Sequence, residues 1–288
     1  MTDSVRIAAW NVNSLKVRLP QVLRWLQDQE NKRQPIDALC LQELKLTDDK
    51  YPHKELEDAG YLSLAAGQKT YNGVAIIVRK AALAPIASDT ATSFLKPIRN
   101  IPNFKDEQQR ILAATIPFAG TPAMRLVSAY FPNGQSPDSD KFVYKLGWLK
   151  ALHTWLGEEL ENNSRLALLG DFNIAPADED VHDSKVWEGQ SLVSPPEREA
   201  FQGLIKLGLN DSFRMFEQAP KVFSWWDYRM MGFRRNAGMR IDHILLSEAL
   251  KDQCIASTVD KEPRTWEQPS DHAPVIAEFK KPNKAVLS

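Results

Sequence analysis

A carboxylate and an amide stand two residues apart directly after an apolar run, where residues 166–169 are followed by Gly170, Asp171, Phe172 and Asn173. A short apolar run bounded by turn-forming residues is typical of a strand that is covered on both faces. In α/β sheets, ligands bind just beyond the carboxyl ends of such strands. Because side chains alternate along a strand, Asp171 and Asn173 are predicted to point the same way, with Phe172 turned into the core. The alternative is a loop whose Asp and Asn only cap the next turn.

Polar side chains of the same kinds recur at the ends of other predicted strands. Acid, amide and imidazole groups at several independent strand ends favour one shared pocket. The set is rich in hard oxygen ligands and has no sulfur, which favours Mg²⁺ or Mn²⁺ over Zn²⁺. The zinc spacings HExxH and paired CxxC are absent, as are a serine nucleophile elbow, a P-loop and a GxGxxG turn, so no nucleotide cofactor is expected. The residues of the set are Asn11, Glu43, Tyr130, Asp171, Asn173, Asp242, Asp271 and His272.

Alternating strand and helix patterns must position these side chains. Amphipathic stripes predict helices at residues 15–29, 138–161 and 195–207, while residues 91–109 lack steady periodicity and are predicted to form a loop at the sheet edge. The alternation indicates an α/β fold. Apolar runs predict strands at residues 5–12, 36–41, 61–66, 73–78, 111–116, 124–130, 166–173, 240–246 and 275–279.

Composition indicates one large globular domain. The 288 residues are 43% hydrophobic and 25% charged, and no linker or repeat interrupts them. We therefore expect a single domain over residues 1–288, with a core at about 5–279 and a short frayed tail. Neither a secretory signal nor a membrane-length apolar run is present, so a cytoplasmic location is expected. Cys40 and Cys254 lie in apolar runs and are predicted to be buried free thiols.

Charge is nearly balanced overall but unevenly distributed. A net charge of −1 gives no global sign of a nucleic-acid partner, although carboxylates at a metal centre and basic residues on its rim could cancel. Residues 223–240 interleave Trp, Tyr, Phe and Met with arginines such as Arg229 and Arg235. This composition suits a surface that stacks on bases or sugars while it neutralises phosphates. The alternative is a loop at the core edge with solvated arginines.

Four motifs in a fixed order resemble the endonuclease/exonuclease/phosphatase superfamily. They are WNVNS at 10–14, LQELK at 41–45, GDFN at 170–173 and SDHAP at 270–274. Further matches at 67–69 (GQK), 130–134 (YFPNG), 225–229 (WWDYR) and 240–242 (RID) resemble the exonuclease III type of apurinic/apyrimidinic endonuclease. The resemblance covers nearly the whole chain. It implies a monomeric four-layer α/β sandwich, in which two packed mixed β-sheets are flanked by helices.

The resemblance also implies a metal centre built on oxygen ligands. Glu43 is implied as the main direct ligand of Mg²⁺ or Mn²⁺, and Asn11 and Asp271 are implied to hold the ion or its waters. Asp171 and Asn173 are implied to complete the surroundings of the ion. Whether one or two ions act is left open.

Catalytic roles follow from the same resemblance. Asp171 is implied to orient and deprotonate the attacking water, and Asn173 to donate to a phosphate oxygen. His272, oriented by Asp242, is implied to stabilise charge on the phosphorus, while Tyr130 binds the phosphate or assists the leaving oxygen. Either Asp171 or the Asp242–His272 pair could be the general base. We favour Asp171.

DNA-binding residues are implied less directly. Met239 stands where several relatives carry a Trp that packs on the abasic sugar, and Asn13 stands where many carry an Asp near the metal. The resemblance therefore implies phosphoester hydrolysis more directly than abasic-site cleavage. The implied sugar-pocket and backbone contacts are Trp225, Trp226, Met239, Arg229, Lys69 and Asn133.

The implied function is a Mg²⁺-dependent DNA repair nuclease. Its substrates would be duplex DNA with abasic sites or 3′ ends, as in a bacterial nucleoid, and its activities those of an abasic-site endonuclease, a 3′→5′ exonuclease and a 3′-phosphatase. Two alternatives stay open: a non-catalytic nucleic-acid-binding relative, and a phosphohydrolase that acts on another substrate.

Strand alternation also predicts that His243 points away from Asp242, into the core.

Overall fold

The chain is described by a computed structural model over residues 4–85 and 93–282. Within those residues, two six-stranded sheets pack face to face. The first sheet has the order β11-β12-β1-β2-β4-β3 and the second the order β5-β6-β7-β8-β10-β9. Pairing is parallel between β1 and β2 and between β7 and β8 and antiparallel in the other strand pairs, so both sheets are mixed.

The strands follow the apolar runs of the sequence. In chain order they are β1 (Ser4–Asn11), β2 (Ala38–Gln42), β3 (Tyr61–Ala66), β4 (Val74–Arg79), β5 (Leu95–Arg99), β6 (Ile111–Ile116), β7 (Met124–Tyr130), β8 (Leu166–Asp171), β9 (Leu209–Asp211), β10 (Asp242–Ser247), β11 (Cys254–Val259) and β12 (Val275–Lys280). The central strands β1, β2, β7, β8 and β10 are buried along almost their whole length. Burial on both faces explains why their sequences are nearly continuous apolar runs.

Helices cover the outer faces of the two sheets. Trp25 of α1 packs with Trp10 on the first sheet, and Trp148 of α3 and Phe201 of α5 pack with Leu168 on the second. A separate apolar core fills the space between the sheets. The predicted four-layer α/β sandwich is therefore confirmed. The helices are α1 (Leu15–Asn31), α2 (His53–Asp58), α3 (Asp140–Asn162), α4 (Ser184–Trp187), α5 (Pro195–Lys206) and α6 (Glu248–Lys251).

Two edge strands differ from the prediction. The region predicted as a loop at 91–109 contains β5, whose residues are mostly exposed and include Pro97; residues 91–92 lie outside the described part of the chain. Strand β11 was not predicted because Ser257 and Thr258 interrupt its apolar residues, so that no continuous apolar run is formed. Both lie at sheet edges, where one side needs no partner and the apolar pattern is weak. Strand β12 continues to Lys280, and the end of the predicted tail, 283–288, is also outside the described residues.

The thiol prediction is confirmed, since Cys40 and Cys254 are both buried and unpaired. Burial raises the pKa of the Cys40 thiol to about 12, so it stays a neutral packing group. In the described ranges, no helix has both the length and the apolar character needed to cross a bilayer.

Candidate functional site

The predicted site residues meet at one end of the sandwich. Asn11 ends β1, Glu43 follows β2, and Tyr130 and Asp171 end the parallel strands β7 and β8. Asp242 begins β10, which runs antiparallel to β8 and pairs Asp242 directly with Asp171. Carboxyl ends of parallel strands and an amino end of an antiparallel strand therefore converge on the same point.

Gly170 is required by the close approach of β7 and β8. Its φ is +146°, and a Cβ placed on it would lie 2.0 Å from the carbonyl oxygen of Ala129. No side chain fits that space, because the clash is with backbone that is itself paired in the sheet. The glycine of the GDFN motif therefore allows Asp171 to lie beside Tyr130 on the neighbouring strand.

A left-handed turn, rather than strand alternation, brings Asn173 back to Asp171. Asn173 has a φ of +49° and its backbone N–H donates to Asp171 Oδ1 at 2.9 Å. Its Nδ2 donates to the carbonyl oxygen of Phe131 at 3.0 Å. Phe172 is buried and stacks on Phe131 with ring centroids 4.2 Å apart. The two polar side chains thus share one side, as expected, although the strand ends at Asp171.

Glu43 and Asp171 share one hydrogen-bond donor, the side-chain amide of Asn11. Asn11 Nδ2 donates to Glu43 Oε1 and to Asp171 Oδ2, both at 2.9 Å. The Tyr130 hydroxyl donates to Glu43 Oε1 at 3.0 Å, and Lys45 Nζ lies 2.9 Å from Glu43 Oε2. The two carboxylates are therefore held close together although they come from different sheets.

This centre has the composition of a divalent-cation site. Potential ligand atoms of Glu43, Asp171 and His272 all lie within 4.8 Å of one another. The carboxylates are hard oxygen donors, and Glu43 is partly exposed, so a hydrated cation can reach it. The Asn11 amide presents its Nδ2 to both carboxylates, while its Oδ1 accepts from the Asn13 N–H at 2.9 Å. His272 is the poorest ligand of the three because its Nδ1 is engaged by Asp242. The donor set therefore fits an oxygen-coordinated ion.

Asp271 lies beside this centre but is held by other groups. Its Oδ1 accepts from Asn13 Nδ2 at 2.9 Å and its Oδ2 accepts from Trp225 Nε1 at 3.0 Å. Burial alone would raise the pKa of Asp271, but the nearby His272 and these hydrogen bonds bring it below its usual value. Asn13 Oδ1 also accepts from Lys45 Nζ, and Lys45 in turn pairs with Glu43. Asp271 is therefore linked to Glu43 through Asn13 and Lys45.

His272 lies between two carboxylates. Its Nδ1 is 2.9 Å from Asp242 Oδ2, and its Nε2 is 3.7 Å from Asp171 Oδ2. Burial opposes protonation, but Asp242 and Asp171 outweigh it and raise the pKa of His272 to about 10. Burial raises the pKa of Asp171 to about 7, against the opposing effect of His272. The geometry therefore presents a cationic donor beside a carboxylate that can accept a proton near neutral pH.

Short polar contacts fix the segment around His272. Ser270 Oγ donates to the carbonyl oxygen of Asn11 at 2.6 Å and accepts from the His272 N–H at 3.2 Å. Trp10 Nε1 donates to the His272 carbonyl oxygen at 3.1 Å. The WNVNS and SDHAP motifs, although they lie far apart in the sequence, therefore hold each other in place.

A buried ion pair behind the site was not predicted. Lys145 and Glu197 have fully buried side chains, with Nζ 2.5 Å from Oε1. Lys145 Nζ also donates to the carbonyl oxygens of Asn173 at 2.8 Å and Asn133 at 3.2 Å. The sequence carried one signal, because Lys145 lies on the same helical stripe as the apolar positions Phe142 and Leu149. A charge on such a stripe requires a buried partner.

Two of the residues that the sequence predicts to contact DNA have buried side chains. Trp226 and Met239 are completely buried. Trp226 packs with Phe223 and Ala273, and Met239 packs in a cluster with Val181. Neither side chain can reach DNA in this conformation. The backbone of Met239 pairs with Trp225 in a short bridge beside these clusters.

The other predicted DNA contacts are accessible. Trp225 is partly exposed, and Arg229, Lys69 and Asn133 are exposed. Arg229 is paired with Asp227 at 2.6 Å. Asn133 donates to Asn173 Oδ1 at 3.1 Å, which places it at the edge of the site. Trp225, through Asp271, and Asn133, through Asn173, therefore lie at the edge of the site.

His243 is a core residue, as alternation predicts. Its Nε2 donates to the carbonyl oxygen of Ile174 at 2.9 Å, while Arg240 Nη1 donates to its Nδ1 at 3.0 Å. These partners require the neutral ring. Burial, with help from Arg240, lowers the pKa of His243 from 6.5 to about 4.

We expect this neutral His243 to make the protein acid-sensitive. As pH falls from about 7 to about 4, His243 takes up a proton in the unfolded state but not in the folded state, so the contribution of this residue to the free energy of unfolding falls by up to about 3 kcal/mol. Urea unfolding across this range, for wild type and His243→Gln, measures the difference. Parallel stability curves for the two proteins would contradict the prediction.

Comparison with known proteins gives consistent matches over nearly the whole chain. Residues 8–272 match the model of the Endonuclease/Exonuclease/phosphatase family. The chain is 34% identical to "Exodeoxyribonuclease III" of Haemophilus influenzae, over 96% of this chain and 100% of that protein. The 3′ phosphatase NExo from Neisseria, solved with a product DNA hairpin, is 43% identical with a TM-score of 0.85, over 96% of this chain and 99% of that one. An AP endonuclease from Archaeoglobus fulgidus is 31% identical with a TM-score of 0.84, over 96% and 99%.

Proposed function

Because this chain belongs to the Endonuclease/Exonuclease/phosphatase family, we propose that it is a metal-dependent DNA repair nuclease that hydrolyses phosphodiester and phosphomonoester bonds in duplex DNA. The observation that carries the proposal is the arrangement of Glu43, Asp171 and His272, whose potential ligand atoms lie within 4.8 Å of one another. Similarity to an exodeoxyribonuclease III, a 3′ phosphatase and an AP endonuclease supports DNA as the substrate.

Glu43 is proposed as the main direct ligand of Mg²⁺ or Mn²⁺, with Asn11 helping to hold the ion and Asp171 and Asn173 completing its surroundings. When bound, the ion supplies charge neutralisation at the phosphate and lowers the pKa of coordinated water. Lys45 and Tyr130 bind the Glu43 carboxylate and so fix its orientation. Asp271 is proposed to act at the edge of this centre, through Asn13 and the waters that surround it.

Asp171 is proposed as the general base. It is buried, its pKa is raised to about 7, and its carboxylate can take the proton of an attacking water. His272, held by Asp242, donates to the phosphate oxygen on which charge grows. Asn173 lies beside Asp171 and is proposed to contribute a second donor. Burial and nearby carboxylates raise the pKa of Tyr130 well above its usual value, so its hydroxyl stays protonated and can bind the phosphate or the leaving oxygen.

Basic grooves on both sides of the site support a polyanionic substrate. On one side, the lining of a groove of about 540 Å³ has more basic than acidic residues: Lys16, Lys45, Lys50 and Lys69 against Asp49 and Glu55. On the other, a groove of about 600 Å³ beside Tyr130 is lined by residues that include Arg110. Cations placed on both sides of a phosphoesterase centre suit a strand that passes across it, in spite of the nearly neutral total charge.

The burial of Met239 and Trp226 favours 3′-terminal substrates over abasic sites. These side chains were expected to line a pocket for a flipped-out sugar, yet they pack in closed apolar clusters. A 3′-phosphate or a terminal nucleotide needs no such pocket, because it enters the site from a strand end. We therefore propose 3′-phosphatase and 3′→5′ exonuclease activities as the main ones, with abasic-site cleavage as the slower one.

Three duplexes test this order: one with a 3′-phosphate, one with a recessed 3′ end and one with an internal abasic analogue. With Mg²⁺, we expect product from the first two at higher rates than from the third, and no product with EDTA. Fastest cleavage at the abasic analogue would contradict the proposed order. Binding to all three without metal-dependent product would favour the non-catalytic alternative, and phosphatase activity confined to non-DNA esters would favour the other phosphohydrolases.

A further inference from the structure

The pair formed by Asp242 and His272 is assembled from two segments that belong to different sheets. Asp242 is the first residue of β10, and His272 lies shortly before β12. His272 Nδ1 lies 2.9 Å from Asp242 Oδ2 and 3.1 Å from Asp242 Oδ1. Such a contact keeps its geometry only if the two backbones are held in place, so the residues that join the two segments determine it.

Ser224 contacts both segments. Its side chain is completely buried. Its Oγ accepts from the backbone N–H groups of Ile241 at 3.1 Å and Asp242 at 3.0 Å. Its backbone carbonyl oxygen accepts from the N–H of Ala273, the residue after His272, at 2.7 Å. One residue therefore joins the start of β10 to the segment that carries the histidine.

The two bonds to Ser224 Oγ mark a bend at the start of β10. Successive N–H groups of an extended strand point in opposite directions, whereas two that converge on one acceptor occur in a turned conformation. The N–H of Arg240 donates to the carbonyl oxygen of Asp180 at 2.8 Å, and the pairing of β10 with β8 begins at Asp242, opposite Asp171. The serine oxygen therefore supports the backbone of Asp242 at the point where regular pairing begins.

An apolar side chain at position 224 could not replace this acceptor. A buried N–H group without a partner is costly, so loss of the oxygen would force the N–H groups of Ile241 and Asp242 to move toward another acceptor. The Asp242 carboxylate would then shift relative to His272. A displacement of about 1 Å in a catalytic group can lower a rate by about 100-fold.

We propose that Ser224 is a positioning residue for the pair of Asp242 and His272: its hydroxyl oxygen holds the backbone of Asp242, and its carbonyl oxygen holds the backbone beside His272. Ser224 does not face the substrate, because its side chain has no exposed surface. The inference rests on the proposed function, in which this pair donates to the phosphate. Ser224 therefore acts on the chemical step through Asp242 and leaves the binding of DNA to other residues.

Ser247 provides a matched control at the other end of the same strand. It is also buried, and its Oγ accepts from the backbone N–H of Leu166 at 3.0 Å and donates to the Ser164 carbonyl oxygen at 2.7 Å. The length of β10, Asp242–Ser247, places it about 16 Å from Asp242. Ser247→Ala therefore removes a bond of the same kind from the same strand without touching the pair.

Single-turnover hydrolysis of a 3′-phosphorylated duplex with Mg²⁺ separates positioning from stability. At temperatures at which the variants are folded, we expect Ser224→Ala to lower the rate on the order of 10- to 100-fold with unchanged DNA affinity in EDTA, and Ser247→Ala to keep the wild-type rate. Ser224→Thr keeps the acceptor oxygen and should recover most of the rate. Equal rates for Ser224→Ala and Ser247→Ala, or a rate for Ser224→Thr no higher than that of Ser224→Ala, would overturn the proposal.

Proton NMR of the full chain in EDTA tests the positioning without activity. The Nδ1–H of His272, hydrogen-bonded to the Asp242 carboxylate, gives a downfield signal that is identified by its loss in His272→Gln. We expect Ser224→Ala to shift or broaden this signal and Ser247→Ala to leave it unchanged. If Ser224→Ala does not fold, Ser224→Cys gives the same comparison, because sulfur is a weaker acceptor.

The NMR comparison also separates this inference from the proposed function. An unchanged His272 signal in the Ser224 variant would overturn the positioning role, whatever the activity. Wild type that does not hydrolyse the duplex would overturn the proposed function, and the shift of the His272 signal in Ser224→Ala would still support the positioning role.

Discussion

Asp171→Asn is expected to lower the rate of the chemical step by a factor on the order of 10³ and to leave DNA affinity nearly unchanged. Asparagine has the same shape and can keep the contact with Asn11, but it cannot accept a proton from water. Burial raises the pKa of the Asp171 carboxyl in the metal-free site, which makes the carboxylate a better proton acceptor than an exposed aspartate. Single-turnover hydrolysis of a 3′-phosphorylated duplex measures the rate, and anisotropy in EDTA measures the affinity.

A surface substitution of the same kind is the control for Asp171→Asn. Asp178 forms an exposed ion pair with Arg198, and Asp178→Asn is expected to keep the wild-type rate. A near-normal rate in Asp171→Asn would contradict the assignment and would place the base on the pair of His272 and Asp242. Loss of affinity together with rate would indicate that Asp171 acts mainly in binding.

Lys145→Met is expected to lower the free energy of unfolding by about 3–5 kcal/mol, because it leaves the Glu197 carboxylate buried without its partner. Burial already lowers the pKa of Lys145, with Glu197 opposing the shift, so the pair is held in a dry environment. The substitution also removes the hydrogen bonds from Lys145 to the carbonyl oxygens of Asn133 and Asn173, of which Asn133 keeps a bond from Ser191 Oγ. We therefore expect the single-turnover rate to fall even at temperatures at which the variant is folded. Urea unfolding and hydrolysis of the 3′-phosphorylated duplex measure the two effects.

The double variant Lys145→Met/Glu197→Leu tests whether hydrophobic residues can replace this buried ion pair without loss of stability. Glu197 also accepts from the backbone N–H groups of Leu192 at 3.0 Å and Ser194 at 3.1 Å, and from Ser194 Oγ. Those donors would lose their acceptor, so the double variant is expected to be no more stable than the single one. Full recovery would contradict this account. The exposed Lys54→Met serves as the control and should leave stability unchanged.

The strands that carry the site could be predicted because their burial on both faces leaves continuous apolar runs. Residues 61–66, 111–116 and 124–130 were predicted with the observed bounds. The edge strand β5 was missed because exposed residues carry no such pattern. Apolar patterns in the sequence thus predict the buried central strands of each sheet but not its exposed edge strands.

The sequence could indicate which residues end near one pocket, but not which of their side chains contact one another. Asp171 and Asp242 follow and precede apolar runs, yet only the antiparallel register of β8 and β10 shows that they face each other. Trp226 and Met239 lie in a segment without regular periodicity, so the sequence could not show which of its aromatic and Met side chains turn inward. Contacts of this kind depend on tertiary pairing and leave no local signal.

Release of inorganic phosphate from a duplex with a 3′-phosphate tests the central claim most directly. We expect release with Mg²⁺ or Mn²⁺, none with EDTA, and recovery when Mg²⁺ is restored, with Glu43→Gln requiring a higher ion concentration. These results would follow from an oxygen-ligand metal centre at Glu43 and Asp171. No release with any divalent ion, or release that continues in EDTA, would contradict the account.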